Sequence, residues 1–299
     1  MKSIRLLILL LFSTTLLFTQ NLKPYILAIE SSEPISALKG AIQTNLEAQG
    51  ISVAGQYQPA GDNNRWILVV TSPELQHAVR EVGGLTGFAA ALRIAITREN
   101  GVSKVTYTNP AYWGNAYFRG DYGKVAADYT AFDGKLKTAL SATGTYVGSA
   151  FGSKKGLSPA QLQKYHYMMG MPYFDDTEIL KSFGSYQEAI NKIETSIKQG
   201  VPDVKLVYKV TISGKNLTLY GFALSGDDGE ATFLPVIDIG TPKHTAFLPY
   251  ELLVTNNEVH MLHGRYRIAL SFPDLTMGTF TKIMSTPGNI EDLLKQVVQ

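Results

Sequence analysis

ALRIAITRENGVSKVTY, residues 91–107, decides the fold class. Its two apolar stretches flank Glu99-Asn100-Gly101, and Asn-Gly supplies the positive backbone angles that the tight turn of a β-hairpin requires. Two antiparallel strands are therefore expected here. A second stretch, PYELLVTNNEVHML at 249–262, has the same character: Ile96, Val102 and Val105 are matched by Val254, Val259 and Leu262 with one gap.

Outward from the hairpins, other pieces also occur twice. ISALKGAIQTNLEAQG (35–50) and SYQEAINKIETSIKQG (185–200) both read as amphipathic helices ending in Gln-Gly, with Ile42 and Leu46 answering to Ile193 and Ile197. Helical patterns close each copy, FDGKLKTALSA at 132–142 and PGNIEDLLKQVV at 287–298. In the first copy KPYILAIE (23–30) reads as a strand, WILVVTS (66–72) as a central strand, and Ser72-Pro73-Glu74 starts a helix that Gly83-Gly84 ends. In the second copy a long strand pair turns at Ser213-Gly214-Lys215-Asn216, and PVIDIGTPKHTAFLPYELLV has little helical periodicity where the first copy has its Pro73–Gly83 helix.

Hairpins with interspersed helices argue an α+β fold, helices packed on a mainly antiparallel sheet. Two copies are too few for a solenoid, so the pattern predicts two related domains arranged as an intramolecular pseudo-dimer. The expected boundaries are 21–142 for the first domain, 143–177 for a Gly- and Ser-rich linker with a short helix, and 178–299 for the second domain.

Lys2 and Arg5 precede the apolar run Leu6–Phe12, and Leu16–Phe18 leads into Thr19-Gln20-Asn21, the layout of a signal peptide over residues 1–20. The run is interrupted at Ser13, Thr14 and Thr15 and falls short of the ~20 apolar residues a membrane span needs. A periplasmic or secreted protein with no stable membrane span after cleavage is expected. The chain has no cysteine, which excludes disulfides, thiolate catalysis and Cys-based zinc or iron–sulfur sites. Lys and Arg total 27 against 25 Asp and Glu, and loss of Lys2 and Arg5 leaves 25 against 25. A chain of zero formal charge has no net attraction for nucleic acid.

The first copy resembles the bacterial domain-of-unknown-function family numbered 302. The resemblance rests on the helix ending in Glu47-Ala48-Gln49-Gly50, the turn Ala89–Ala91, the reverse turn Arg98–Gly101 and the following Asn109-Pro110. Gly240-Thr241-Pro242 and Leu248-Pro249 resemble the approach to the hairpin in the second copy. It covers roughly 25–142 well and 178–298 more weakly. It implies a small α+β domain that tends to pair, and it implies no reaction and no catalytic residue.

Three clusters could carry function. The aromatic stretch Tyr107, Asn109, Tyr112, Trp113 and Tyr117, with Phe118, Tyr122, Asn115, Arg119 and Asp121, could hold a sugar or an apolar ligand, with Tyr167 contributing from the linker. The rival reading is that these rings fill the core. His166 with Met168, Met169 and Met171 is a ligand set that suits copper or one side of a haem, against a Met- and Tyr-rich plug between domains. His260 and His263 lie three apart on a strand and so point to opposite sides, with His244 sixteen residues before His260.

Enzyme templates fit poorly: no Gly-x-Ser-x-Gly elbow, His-Glu-x-x-His, phosphate loop or dinucleotide fingerprint occurs. Asp175-Asp176 and Asp227-Asp228 read as solvated turn pairs. The expectation is a non-enzymatic protein with no cofactor that binds a small molecule or a protein partner between its halves. The alternatives are a metal or haem handler and a hydrolase with a composite site.

Overall fold

The computed structural model describes residues 21–299. The expected signal peptide therefore lies outside the described residues. Among those residues no helix is long and apolar enough to cross a membrane.

The chain forms two antiparallel sheets with helices packed on them, an α+β architecture. The first unit runs β1 (Tyr25–Ser31), α1 (Ile35–Ala48), β2 (Ser52–Tyr57), β3 (Arg65–Thr71), α2 (Pro73–Val82), β4 (Leu92–Glu99), β5 (Val102–Thr108), α3 (Pro110–Phe118) and α4 (Tyr122–Thr143). The connecting segment carries β6 (Ser149–Phe151) and α5 (Pro159–Gln163). The second unit runs β7 (Glu178–Ser182), α6 (Tyr186–Gln199), β8 (Val204–Thr211), β9 (Leu217–Leu224), α7 (Glu230–Ile237), β10 (Tyr250–Thr255), β11 (Glu258–Met261), α8 (Gly264–Ser271), α9 (Met277–Phe280) and α10 (Thr286–Lys295).

Local chemistry accounts for the elements. In α1 the apolar side chains Leu38, Ile42 and Leu46 recur every four residues and are the ones buried. In α6 Ala189 and Ile193 take the corresponding face, while Ile197 is half-buried. Gly50 and Gly200 both adopt positive φ just past these helices, the left-handed conformation that ends a helix at least cost in glycine. Helix α2 starts with Ser72 Oγ accepting from Leu75 N and Pro73 in the first turn.

The strand order is β2-β3-β4-β5-β1-β6 in one sheet and β7-β11-β10-β9-β8 in the other. Matching β1 to β7, β2 to β8, β3 to β9, β4 to β10 and β5 to β11 makes the two orders identical, with β6 added beside β1. The irregularities match as well. One bulge falls between Val53 and Gly55 where β2 pairs with β3, and another between Leu206 and Tyr208 where β8 pairs with β9. A second pair interrupts β1 at Leu27/Ile29 against β5 and the β7–β11 ladder at Val259/His260.

These registers fix which residues correspond. Val69 pairs with Arg93 and Gly221 pairs with Glu251, so Arg93 and Glu251 occupy equivalent positions. They also correct the alignment read from sequence: Val105 corresponds to Val259, not to Leu262. Ile96↔Val105 lies three pairs from the turn-closing pair Glu99↔Val102, whereas Val254↔Val259 lies one pair from Thr255↔Glu258. The second hairpin is two residues shorter on each strand, and a single gap could not accommodate that. Two further readings change. The segment 143–177 is more than a linker with a short helix, because β6 joins the first sheet and Leu22 bridges to Leu157. A helix does precede β10 where little helical periodicity was read: α7 begins at Glu230, ahead of that stretch, and its apolar pattern is cut by Pro235.

The units meet where the β2 edge approaches β8. A Cβ on Gly55 would run into the Val207 carbonyl, so only glycine permits this approach. Gly221 makes room in the other unit: the Tyr208 ring lies against it, and a side chain there would collide with that ring. Tyr208 Oη donates to Glu251, which also pairs with Arg93 and, at 2.8 Å, with Arg267 Nη1. Arg267 further donates to Tyr117 Oη at 2.8 Å and lies 5.5 Å over the Trp113 ring. Trp113 and Arg267 are again equivalent positions, each eight residues after Val105 and Val259. Residues at matching positions thus face one another across the boundary, with complementary chemistry in place of identity.

Candidate functional site

A cleft of about 550 Å³ opens between the two units. Lys23 ahead of β1 and Phe151 to Lys154 at the end of β6 form one wall; the loop after α7 and the segment after α8 form the other. At its floor is His244. The ring stacks on Phe272 at 4.8 Å and 23° and lies 5.0 Å from Tyr25 and 5.7 Å from Phe151. Burial pushes the His244 pKa below the usual imidazole range, against the opposing pull of Asp238 and the Ser271 carbonyl. The ring is therefore neutral at neutral pH, and its Nδ1 is buried with no hydrogen-bond partner among the described residues.

The loop bearing His244 is held by the first unit. Asp238 accepts from the His244 backbone N–H at 2.6 Å and from Thr245 Oγ1 at 2.8 Å, and it is paired with Arg65 of β3. Across the mouth, Asp274 accepts from Lys154 N at 2.6 Å and from Ser153 Oγ at 3.3 Å, tying the two walls together. The rim adds Thr276 and Thr279 hydroxyls and the Lys23 and Lys154 side chains. This arrangement gives the cleft an apolar floor at Phe151, His244 and Phe272 with polar groups at its border, the general form of a small-molecule site.

This chain is similar to a DUF302 protein. The solved structure is that of the uncharacterized conserved protein DUF302 from Bacillus stearothermophilus, with 19% identity and a TM-score of 0.35 over 40% of this chain and 98% of that one. No family model and no curated protein matches the chain. The DUF302 protein is itself uncharacterized, so the similarity brings no substrate, ligand or partner with it.

The aromatic residues singled out from the sequence lie at the unit boundary and in the core, away from the cleft surface. Tyr107, Tyr112, Trp113 and Tyr117 are at most 1% exposed. Tyr107 Oη shares a hydrogen bond with Tyr146 Oη at 2.7 Å, Tyr112 Oη donates to the Leu270 carbonyl at 2.9 Å, and Trp113 Nε1 donates to the Pro24 carbonyl at 2.9 Å. Tyr117 stacks on Phe174 at 5.3 Å. Asn109 precedes α3 and donates from Nδ2 to the Lys23 carbonyl at 2.8 Å. Protein atoms already fill the space around these rings and use their polar tips.

The His/Met cluster is divided. His166 Nε2 bonds to the Met171 carbonyl at 2.8 Å and its ring stacks on Tyr173 at 4.2 Å. Met168 and Met171 instead line a narrow apolar slot with Tyr167, Met277 and Phe280, whereas His166 faces a separate hollow beside Gln161 and Lys164. Tyr167 Oη donates to the Leu275 carbonyl at 3.1 Å, and Met169 is 95% exposed. His260 bonds to Thr177 and Glu258, and His263 caps α8 by accepting from Arg265 N at 3.2 Å. Among the described residues no three His, Asp or Glu side chains gather as a metal site.

The sequence reading named His244 only as a companion of His260 and His263. Phe151, Phe272 and Asp274 were missed because two segments supply them, one distant in sequence from the His244 loop and the other separated from it by the second hairpin. The one local signal was an imidazole beside Gly240-Thr241-Pro242, in a loop with no periodicity of its own.

Proposed function

We propose that this chain is a non-enzymatic binding protein built by tandem duplication of one α+β unit, with a small ligand seated in the cleft between the copies. The observation that carries this reading is His244, stacked on Phe272 with Tyr25 and Phe151 packed at an angle beside it, at the floor of a cleft both units build. A planar apolar group would lie on this floor, and its polar substituents would meet the Ser153, Thr276 and Thr279 hydroxyls or the two lysines. The repeated strand order and matching bulges support the duplication. Residues 1–20 are read as a cleaved signal, giving a periplasmic or secreted protein with domains at 21–142 and 178–299.

A thermal-shift screen with heteroaromatic compounds tests the site. Compounds that raise the Tm of the wild-type protein are expected to lose that effect in Ser153→Trp, whose indole occupies the cleft mouth. Hits that stabilise both proteins equally would place binding elsewhere. Turnover of ester, phosphate or glycan substrates that scales with the protein would overturn the non-enzymatic reading.

A further inference from the structure

Trp66 is one of two tryptophans in the chain, and the other, Trp113, is 1% exposed. Trp66 is half-buried, on β3, beside a shallow cleft of about 430 Å³ far in sequence from the His244 loop. Its Nε1 donates to Gln56 Oε1 at 3.1 Å, which fixes the plane of the indole. Lys39 Nζ lies 3.9 Å over the ring centroid and makes no salt bridge among the described residues. Arg98 is held at the rim by Nη1, which donates to the Ser32 carbonyl and to Ser103 Oγ, each at 3.0 Å. Asn63 and Asn64 complete the border, with Ser36 opposite, and no carboxylate lines the cleft.

Each feature answers to a part of one ligand. A flat indole matches the C–H face of a pyranose ring, side-chain amides match its hydroxyl edge, and two cations without a lining carboxylate match an acid group. The volume lies in the ~300–1,000 Å³ range of small-molecule sites. We propose that this cleft binds an acidic saccharide, a hexuronate-bearing glycan. The sugar ring lies on Trp66, its carboxylate pairs with Lys39 and Arg98, and its hydroxyls bond to Asn63 and Asn64. Lys39 must first leave the indole. An exposed cation–π contact is worth ~0.5–1 kcal/mol, which a new ion pair with the carboxylate offsets.

Because Trp113 is sealed in the core, acrylamide quenching of the intrinsic fluorescence reports on Trp66. Titration with trigalacturonate is expected to shield Trp66 saturably, and the neutral galactose trisaccharide is expected to leave quenching unchanged. Lys39→Gln, at a half-buried position, weakens the acidic sugar about fivefold. In Trp66→Ala, calorimetric binding of the same sugar falls more than tenfold. Quenching unaffected by trigalacturonate, equal protection by the neutral sugar or by inorganic sulfate, or unchanged affinity in Lys39→Gln would each overturn the proposal.

Discussion

Glu230 is 1% exposed at the boundary between the units. Its carboxylate accepts from Tyr57 Oη at 2.9 Å and Ala60 N at 3.0 Å in the first unit, and from Leu224 N at 3.4 Å in its own. Burial pushes its pKa up to about 7, with these three donors opposing. A carboxyl whose folded pKa is raised stabilises the fold fully while protonated, below its unfolded value, and loses that contribution as pH rises through the folded value. Between pH 4.5 and 8 the wild type should therefore lose about 3 kcal/mol relative to Glu230→Gln. The paired comparison removes His244 and His260, whose lowered pKa values act in the opposite direction. Urea unfolding of both proteins at several pH values checks this, and a constant difference between them would contradict it.

At the scale of elements, α3 shows how far sequence patterns reach. Its aromatic density was legible, and both readings of it could be written down. What sequence could not supply was the partner surface, because the acceptor for Tyr112 and the donor to Tyr117 come from α8, about 150 residues away. Trp113→Ala should cost about 3–5 kcal/mol, the scale for deleting a buried aromatic ring, seen as a lower urea midpoint with an unchanged m-value. A loss below 1 kcal/mol would mean the ring is not packed as described. The hairpins, the Gln-Gly helix ends and the central strand at 66–72 were readable because local turn chemistry and periodicity determine them. The length of the second hairpin, strand β6 and the His244 floor were not, since pairing register and loop convergence leave no local signature.

For the whole molecule, the decisive feature is that equivalent positions meet across the boundary with unlike residues. In a symmetric pair of identical units, residues facing each other across the dyad would be the same, Arg against Arg or Glu against Glu. In this chain Arg93 faces Glu251 and Trp113 faces Arg267. The cluster holds two guanidiniums and one carboxylate, all at most 4% exposed, so Glu251 balances two cations. Removing that carboxylate leaves both arginines buried without compensation, a loss of about 3–5 kcal/mol or more. Removing Arg93 leaves the balanced Glu251–Arg267 pair and costs less.

The most direct measurement is equilibrium unfolding of Arg93→Met, Glu251→Met and the double variant. Arg93→Met should destabilise the wild type, yet it should stabilise the Glu251→Met protein by removing one of two uncompensated charges. If Arg93→Met costs the same in both backgrounds, the two units do not meet through these equivalent residues, and the pseudo-dimer account fails.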